Sequence, residues 1–448
     1  MASTYLTRTQ GTPTSDDIGT YSFWLKRGTL DKNNEYIVQN YVDGSNYGYF
    51  RFKSDNQFQH YSSGGGDWER RTNRLFRDTN AWYHIVLRID TTQSTASDRV
   101  RIYINGVEET SFSTETNASQ NVNNKLFASG GTLRIGYVSY GTATYFDGCL
   151  SHVHYCDGQS YAPTVFGETD STTGEWKINT SPTITMGSQG FTILKDGNTI
   201  TDQSSNSNNF TLGGGTLTKT EDCPSNVFAT LNPLYKNTTN DTIFANGNTD
   251  GSTRDNTKAG SYTTLGMTSG KFYCEVKIRE LQGTAVVGVS GRPNSDMIDN
   301  KNVGDTTQSA GYRSSGSSEI ASATASFGDS YTTNDIIGIA IDVNNSKLYF
   351  SKNGVWQNSG VPTSGSTGTG ALSMPVGVSS CEDGAYFFGF GDTSTGSNTA
   401  PKFSFNFGNG YFATTAVTSA GTNASDNGVF EYDVPTGYTA LSTKGLNS

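Results

Sequence analysis

The segment Trp82-Tyr-His-Ile-Val-Leu-Arg-Ile-Asp90 restricts the fold of this chain more than any other. Tyr83, Ile85, Leu87 and Ile89 share one face of an extended backbone, and Trp82, His84, Val86 and Arg88 share the other. A side-chain period of two belongs to a strand; a helix would scatter both sets. Val100-Arg-Ile-Tyr-Ile follows and runs into Asn105-Gly106. That pair supplies the positive φ that a type I′ turn needs at both centres, so the spacing predicts a hairpin. The same logic returns later in the chain, where Ile341-Asp342 precedes a hairpin signal at Asn353-Gly354.

Other short runs carry the same signal. Tyr21 to Lys26, Tyr36 to Gln39, Tyr47 to Phe52, Gln57 to Tyr61, Thr132 to Val138 and Gly148 to Tyr155 read as strands in the first half. Gly270 to Ile278, Ala285 to Ser290, Asp335 to Asp342, Lys347 to Trp356, Met374 to Val378 and Lys402 to Phe407 do so in the second. Composition agrees. Only 33% of the residues are hydrophobic, yet 24 Tyr and 24 Phe give the chain large side chains to bury, which a disordered chain lacks. The expected fold is all-β, with two antiparallel jelly-roll-type sandwiches in tandem, since 448 residues exceed one sandwich. The expected boundaries are 1–165 for the first sandwich and 166–235 for a hairpin-rich connector packed on it. A polar linker over 236–260, a second sandwich over 261–415 and a C-terminal segment over 416–448 complete the chain.

Net charge is −10. Without a positive stripe to neutralise phosphates, a nucleic-acid partner is not expected. No apolar run reaches the ~20 residues of a membrane helix, and residues 1–20 lack the apolar core of a signal peptide. Synthesis in a reducing cytoplasm is therefore expected, with all five cysteines as thiols.

The first half resembles the laminin-G/concanavalin-like lectin superfamily through Trp82 to Asp90, Val100 to Gly106 and Phe146-Asp-Gly-Cys-Leu-Ser-His-Val-His-Tyr155. The second resembles SPRY domains through Gly270-Lys-Phe-Tyr-Cys-Glu-Val276, Asp335 to Asp342, Leu348 to Gly354 and Pro375-Val-Gly-Val378. Phe166-Gly-Glu-Thr-Asp-Ser-Thr-Thr-Gly-Glu-Trp176 and Pro224-Ser-Asn-Val-Phe-Ala-Thr-Leu-Asn-Pro233 resemble stretches that follow such lectin domains in tailed-bacteriophage particle proteins. So do the opening Ser3 to Pro13 and the closing Val434 to Leu441. The resemblance implies a virion surface protein, assembled in the host cytoplasm among other virion proteins. Tail fibre, spike and capsid-attached appendage are the roles it implies, with a host-surface glycan or envelope contact as partner. It further implies a homo-oligomer, a trimer by the habit of fibres and spikes. A purely architectural capsid decoration is the second reading, and a polysaccharide-degrading enzyme the third.

Candidate residues follow from the chemistry of sugar and peptide binding. Aromatic faces stack on the C–H surface of a pyranose, and Arg, Asn and Asp bind its hydroxyls. Trp68 and Arg70 in a glycine-rich stretch, and Tyr137, Tyr140 and Tyr145 around a second loop, are the candidates of the first half. Arg292 and Trp356 lie on loops of the kind that bind peptides in SPRY domains. Glu168-Thr-Asp170 comes nearest to the paired carboxylates of a glucanase, but Ser171-Thr-Thr-Gly makes the segment a turn. No catalytic residue or cofactor is expected. His152 and His154, two apart, suggest no third zinc ligand, and calcium has only the acidic loop from Asn294 to Asn300.

Overall fold

The computed structural model describes residues 3–64, 66–139, 144–235, 242–253, 260–299, 301–392 and 400–447. The chain divides into two compact units, Met1–Lys219 and Thr220–Ser448.

Unit 1 carries β1 Tyr5–Thr9, β2 Ile18–Arg27, β3 Glu35–Asp43, β4 Asn46–Phe52, β5 Gln57–Ser62, β6 Trp68–Leu75, β7 Trp82–Asp90, β8 Val100–Ile104, β9 Val107–Glu108 and β10 Phe112–Thr116. They are followed by β11 Thr132–Ile135, β12 Tyr137–Val138, β13 Thr144–Tyr145, β14 Gly148–Asp157, β15 Gly167–Thr169, β16 Trp176–Ile178, β17 Phe191–Ile193 and β18 Thr211–Gly214. Among the described residues an eight-stranded sheet, ordered β10-β6-β5-β4-β3-β11-β1-β18, faces a six-stranded sheet, ordered β17-β14-β2-β7-β8-β9. Phe50, Phe52 and Phe58 of the first sheet share one buried cluster with Phe23, Ile85 and Leu87 of the second. Burying a phenylalanine of this kind contributes about 1.5–3 kcal/mol. Both the alternation in β7 and the hairpin at Asn105-Gly106 are as the sequence predicts, with φ at 48° and 79° in the turn.

The connector closes the other face of the six-stranded sheet. Phe166 is buried with Val86, Tyr103 and Cys156, and Met186 packs against that cluster. Trp176 Nε1 donates to His84 Nδ1 over 2.9 Å, and the two rings stack 5.9 Å apart. His84 Nδ1 is thus an acceptor, so the proton of the neutral ring sits on Nε2, 2.9 Å from Ser22 Oγ. Burial pushes this imidazole down to about 3.

Unit 2 carries β19 Ile243–Ala245, β20 Asp250–Ser252, β21 Gly260–Tyr262, β22 Lys271–Glu280, β23 Ala285–Ser290, the short helix α1 Pro293–Ile298, β24 Ser309–Arg313, β25 Ser317–Ile320 and β26 Ala323–Ser326. Then come β27 Ile336–Asp342, β28 Lys347–Lys352, β29 Val355–Trp356, β30 Leu372–Ser373, β31 Phe387–Asp392 and β32 Lys402–Asn406. One sheet runs β19-β20-β32-β22-β27-β28-β29, with β30 on β28 and Thr439–Ala440 parallel to β22; the other runs β21-β31-β23-β24-β25-β26. Phe272, Cys274, Val276 and Ile278 point from β22 into the core between them.

Two boundaries differ from the sequence expectation. The stretch 236–260 is not simply linker: β19 and β20 add to the edge of a sheet through pairs such as Gly251 with Phe403. Residues 236–241 and 254–259 of it lie outside the described residues. The end of the expected connector, 220–235, belongs to unit 2, where Phe228 and Leu231 are buried and bridge to Ser442 and Thr263. Short polar strands at a sheet edge carry little hydrophobic signal, which is why their composition reads as linker. The C-terminal segment covers the outer face of the β22 sheet, with Phe430, Val434 and Tyr438 buried against Tyr273 and Tyr349. All five cysteines are free thiols.

Candidate functional site

Strand β4 sorts its aromatics by chemistry. Phe50 and Phe52 point into the core, while Tyr47, Tyr49 and Arg51 alternate onto the opposite face of the eight-stranded sheet. Register carries the same face across neighbouring strands: Tyr61 and Gln59 on β5 pair with Tyr49 and Arg51, and Tyr41, Gln39 and Tyr36 on β3 pair with Tyr47, Tyr49 and Arg51. The rings form a ladder. Tyr47 stacks on Tyr49 and Tyr61 at 6.2 and 5.7 Å, Tyr49 stacks on Tyr61 at 5.2 Å, and Tyr36 meets Tyr49 edge-on at 5.0 Å. Tyr36, Tyr41, Tyr47 and Tyr61 remain partly exposed.

Arg51 is clamped within this ladder, its guanidinium 4.7 Å from the Tyr49 ring and 5.1 Å from the Tyr36 ring. Its Nη1 donates to the Tyr36 hydroxyl over 2.6 Å, its Nε donates to Gln59, and Gln59 in turn donates to Glu69. Burial, followed by its hydrogen bonds to Asp67 and Tyr47, pushes the Tyr61 phenol upward. The Tyr36 and Tyr49 phenols also rise, chiefly through burial. These hydroxyls stay protonated at neutral pH; Tyr61 donates its proton to Asp67, which leaves those of Tyr36 and Tyr49 for other acceptors.

A second cluster stands beside the first. Tyr137 lies 4.5 Å from Tyr5 and 4.8 Å from Tyr145, ring centroid to centroid. Arg134 of β11 pairs with Gln39 in β3, and its charge is felt by Tyr137, Tyr5 and Tyr41 while burial lowers its pKa. The two clusters bring together eight of the chain's 24 tyrosines.

Of the residues singled out from sequence, Tyr137 and Tyr145 therefore belong to this site, and Tyr140 lies outside the described residues. Trp68 and Arg70 do not belong to it. Trp68 opens β6 with 1% exposure and meets His60 edge-on at 5.2 Å. Arg70 is 2% exposed, pairs with Glu115 at 3.0 Å and lies over the Phe112 ring. The glycine-rich run ends at Asp67, and alternation then turns both side chains inward. In unit 2, Arg292 follows β23 and is tied to Asp296 and Asp299 at 3.2 and 2.7 Å, while Trp356 in β29 is half-buried against Tyr273. They lie on different sheet layers, and the structure does not unite them in one site.

The remaining candidates have local structural partners. Asp170 accepts from the backbone of Thr172 and Thr173 and pairs with Lys177, which closes the turn after β15. His152 has φ at 48°, a bulge that interrupts the alternation between Ser151 and His154. His154 is buried beside Thr192, and burial pushes it down to about 3. In the expected calcium loop, Asp296 is buried and accepts from Tyr262 and Ser290. Among the described residues, no three His, Cys, Asp or Glu side chains are grouped to hold a metal. A cavity of about 360 Å³ in unit 2 is lined by Lys271, Tyr438 and Leu446, but Lys271 is already paired with Asp342.

Two antiparallel sandwiches in series define this as a tandem β-sandwich protein. Residues 2–165 match the family described as the concanavalin A-like lectin/glucanases superfamily, and residues 271–389 match the SPRY domain. The chain thus carries a concanavalin A-like domain followed by a SPRY domain. By its name, the first superfamily holds both binders and enzymes. No curated protein matches the chain. Among solved structures, the SPRY domain of human HERC1 is 19% identical, with 39% of this chain and 96% of that one covered at a TM-score of 0.29. The heptameric SAP-like pentraxin from Limulus polyphemus is 15% identical, covering 41% and 89% at a TM-score of 0.28. Domain 4 of AbnA, an arabinanase from Geobacillus stearothermophilus, is 18% identical, covering 33% and 64% at a TM-score of 0.25.

Proposed function

We propose that this chain is a non-enzymatic glycan-binding protein of a bacteriophage particle surface, and that unit 1 binds sugar on its tyrosine face. One observation carries the binding role: partly exposed tyrosines are laddered across one sheet face with arginine and glutamine between them. Stacked phenol rings offer C–H contacts at low conformational cost, and their protonated hydroxyls with Gln39 and Arg51 supply directional bonds. The virion setting rests on the order of the segments Ser3 to Pro13, Phe166 to Trp176, Pro224 to Pro233 and Val434 to Leu441. In that setting the chain is a fibre, spike or capsid appendage, held among other virion proteins and self-associated as a trimer. A capsid decoration without a ligand is the competing reading.

Asp67 and Glu69 are the carboxylates beside the tyrosine face, and each is engaged, by Tyr61 and Gln59 respectively. That engagement favours binding over hydrolysis. The full-length chain is to be screened against a glycan array alongside Tyr47→Ala and Tyr61→Ala. Each truncation is expected to weaken binding about tenfold, equivalent to ~1.4 kcal/mol. Unchanged affinity in both variants would remove the tyrosine face from the reading, and release of reducing ends from a bound polysaccharide would establish an enzyme. Immunogold labelling of intact particles tests the setting, which an unlabelled particle would refute.

A further inference from the structure

We propose that the tyrosine face selects an acidic polysaccharide, one with a carboxylate on its sugar rings, over neutral glycans; this deepens the sugar-binding reading and rests on it. The argument starts from how unit 1 uses its arginines. Arg27, Arg70, Arg71, Arg74 and Arg101 each hold a carboxylate of the same unit. Arg51 and Arg134 are paired with none among the described residues; the same is true of Arg8, Arg77, Arg88 and Arg99, but Arg51 and Arg134 are the ones that stand on the tyrosine face. Arg51 spends Nε on Gln59 and Nη1 on Tyr36, which leaves Nη2 to an incoming group. Arg134 makes one long bond, 3.4 Å from Nη1 to the Thr132 carbonyl, and keeps its other donors.

The Arg51 guanidinium is held in place. Arg51 is sandwiched between ring faces; Arg134 lies within electrostatic reach of Tyr5, Tyr41 and Tyr137 but, among the described residues, is held by no more than its bond to Thr132. A side chain held like Arg51 loses little entropy on binding, and a planar fork of donors matches a carboxylate. Lys53 lies near Arg51 and Arg71, with Asp55 and Glu69 close by, so Arg51 is one of several charges at this end of the face. Arg134 pairs with Gln39, three positions along β3 from Tyr36, which pairs with Arg51. Gln39 also pairs with Tyr49, two residues before Arg51, so with strand neighbours ~4.8 Å apart and a rise of ~3.3 Å per residue the backbones of Arg134 and Arg51 stand roughly 12 Å apart. That exceeds the width of one pyranose ring, so a chain of sugars spans them, with tyrosine faces between.

Nucleic acid is also anionic and stacks on aromatics. It is disfavoured because its affinity depends on neutralising many phosphates, and the net charge here opposes that.

The test uses the full-length chain and a panel of polygalacturonate, alginate, hyaluronate and polysialic acid. Each is paired with its carboxyl-reduced neutral form, polyuridylate is included, and binding is measured by biolayer interferometry at low and high salt. At least one acidic polymer is expected to bind tenfold or more tighter than its reduced form, with the preference shrinking as salt rises. Arg51→Gln and Arg134→Gln should each weaken binding to the acidic polymer more than to its reduced form, bringing the ratio of the two affinities toward one, and Arg51→Lys should retain part of the ratio. Equal affinity for acidic and reduced forms overturns this inference while leaving the sugar-binding reading intact. No retained polysaccharide in either form overturns both. Polyuridylate binding tighter than every polysaccharide overturns the acidic-glycan assignment in favour of nucleic acid.

Discussion

Glu275 offers a sharp test of how unit 2 is held together. It lies on β22, fully buried, on the face opposite the main core. Its Oε1 accepts from the Tyr432 amide at 2.8 Å and the Tyr273 hydroxyl at 3.2 Å. Its Oε2 accepts from the Glu431 amide at 2.8 Å and from Asn406 Nδ2 at 3.2 Å. Four donors favour the carboxylate, but desolvation is the larger effect and raises the pKa from 4.5 to about 7. Because the folded value exceeds the unfolded one, the associated stability is fully present below pH 4.5 and is lost as pH rises through 7. A rise of about 2.5 at ~1.4 kcal/mol each amounts to ~3 kcal/mol between pH 4 and pH 9.

Glu275→Gln is neutral at every pH and close in shape to the protonated acid. Its Nε2 cannot accept, so one of the two backbone amides is orphaned at a cost of about 1–3 kcal/mol. Its stability should nonetheless stay flat with pH, so that it gains on the wild type by about 3 kcal/mol between pH 4 and pH 9. Glu275→Ala instead orphans two backbone amides, each costing about 1–3 kcal/mol, and should destabilise unit 2 at all pH values. Urea unfolding of the full-length chain, read by hydrogen-exchange mass spectrometry, follows peptides of residues 220–448 separately from the rest. Parallel pH profiles for wild type and Glu275→Gln would refute the reasoning. The four hydrogen bonds would then outweigh desolvation, and Glu275 would be charged throughout.

Three further outcomes are expected. Glu35→Ala should destabilise unit 1 by about 3–5 kcal/mol, because it leaves the Arg27 guanidinium buried and unpaired, whereas Arg27→Met with Glu35→Leu should cost less than either single change in thermal denaturation. Limited proteolysis should leave two resistant fragments that meet near residue 219; a main fragment starting at 261 would contradict the placement of β19 and β20 in the sheet. Trp176→Ala removes the bond to His84 and should expose residues 166–186 to protease while the rest of unit 1 stays resistant.

Much of this fold can be read in the sequence because its strongest strands bury one face. Tyr83, Ile85, Leu87 and Ile89 needed only a period of two, and Asn105-Gly106 needed only its turn chemistry. The weak edges could not be read in this way. Ile243–Ala245 and Asp250–Ser252 are three residues each, bonded along one side of a sheet whose register is set by residues more than a hundred positions away. Local composition carries no trace of such a partner.

The site was hidden for a different reason. Trp68 and Arg70 invite a binding role because a glycine-rich stretch precedes them, yet exposure is decided by strand parity, and parity turns them inward. The tyrosine face was written in Tyr47-Gly-Tyr-Phe-Arg-Phe all along. Read only as aromatic against polar, that run blurs, because both of its faces carry rings. Read as phenol against phenyl, it separates cleanly: Phe50 and Phe52 have no polar atom to satisfy and go to the core, while Tyr47 and Tyr49 carry hydroxyls and go with Arg51 to the outer face. The same separation in the next strand puts Phe58 inside and Tyr61 outside, so two adjacent strands in register already specify the platform. What no sequence pattern conveys is that Tyr5, Tyr137 and Tyr145 join it, because that contact rests on β1 and β11 pairing across more than a hundred residues.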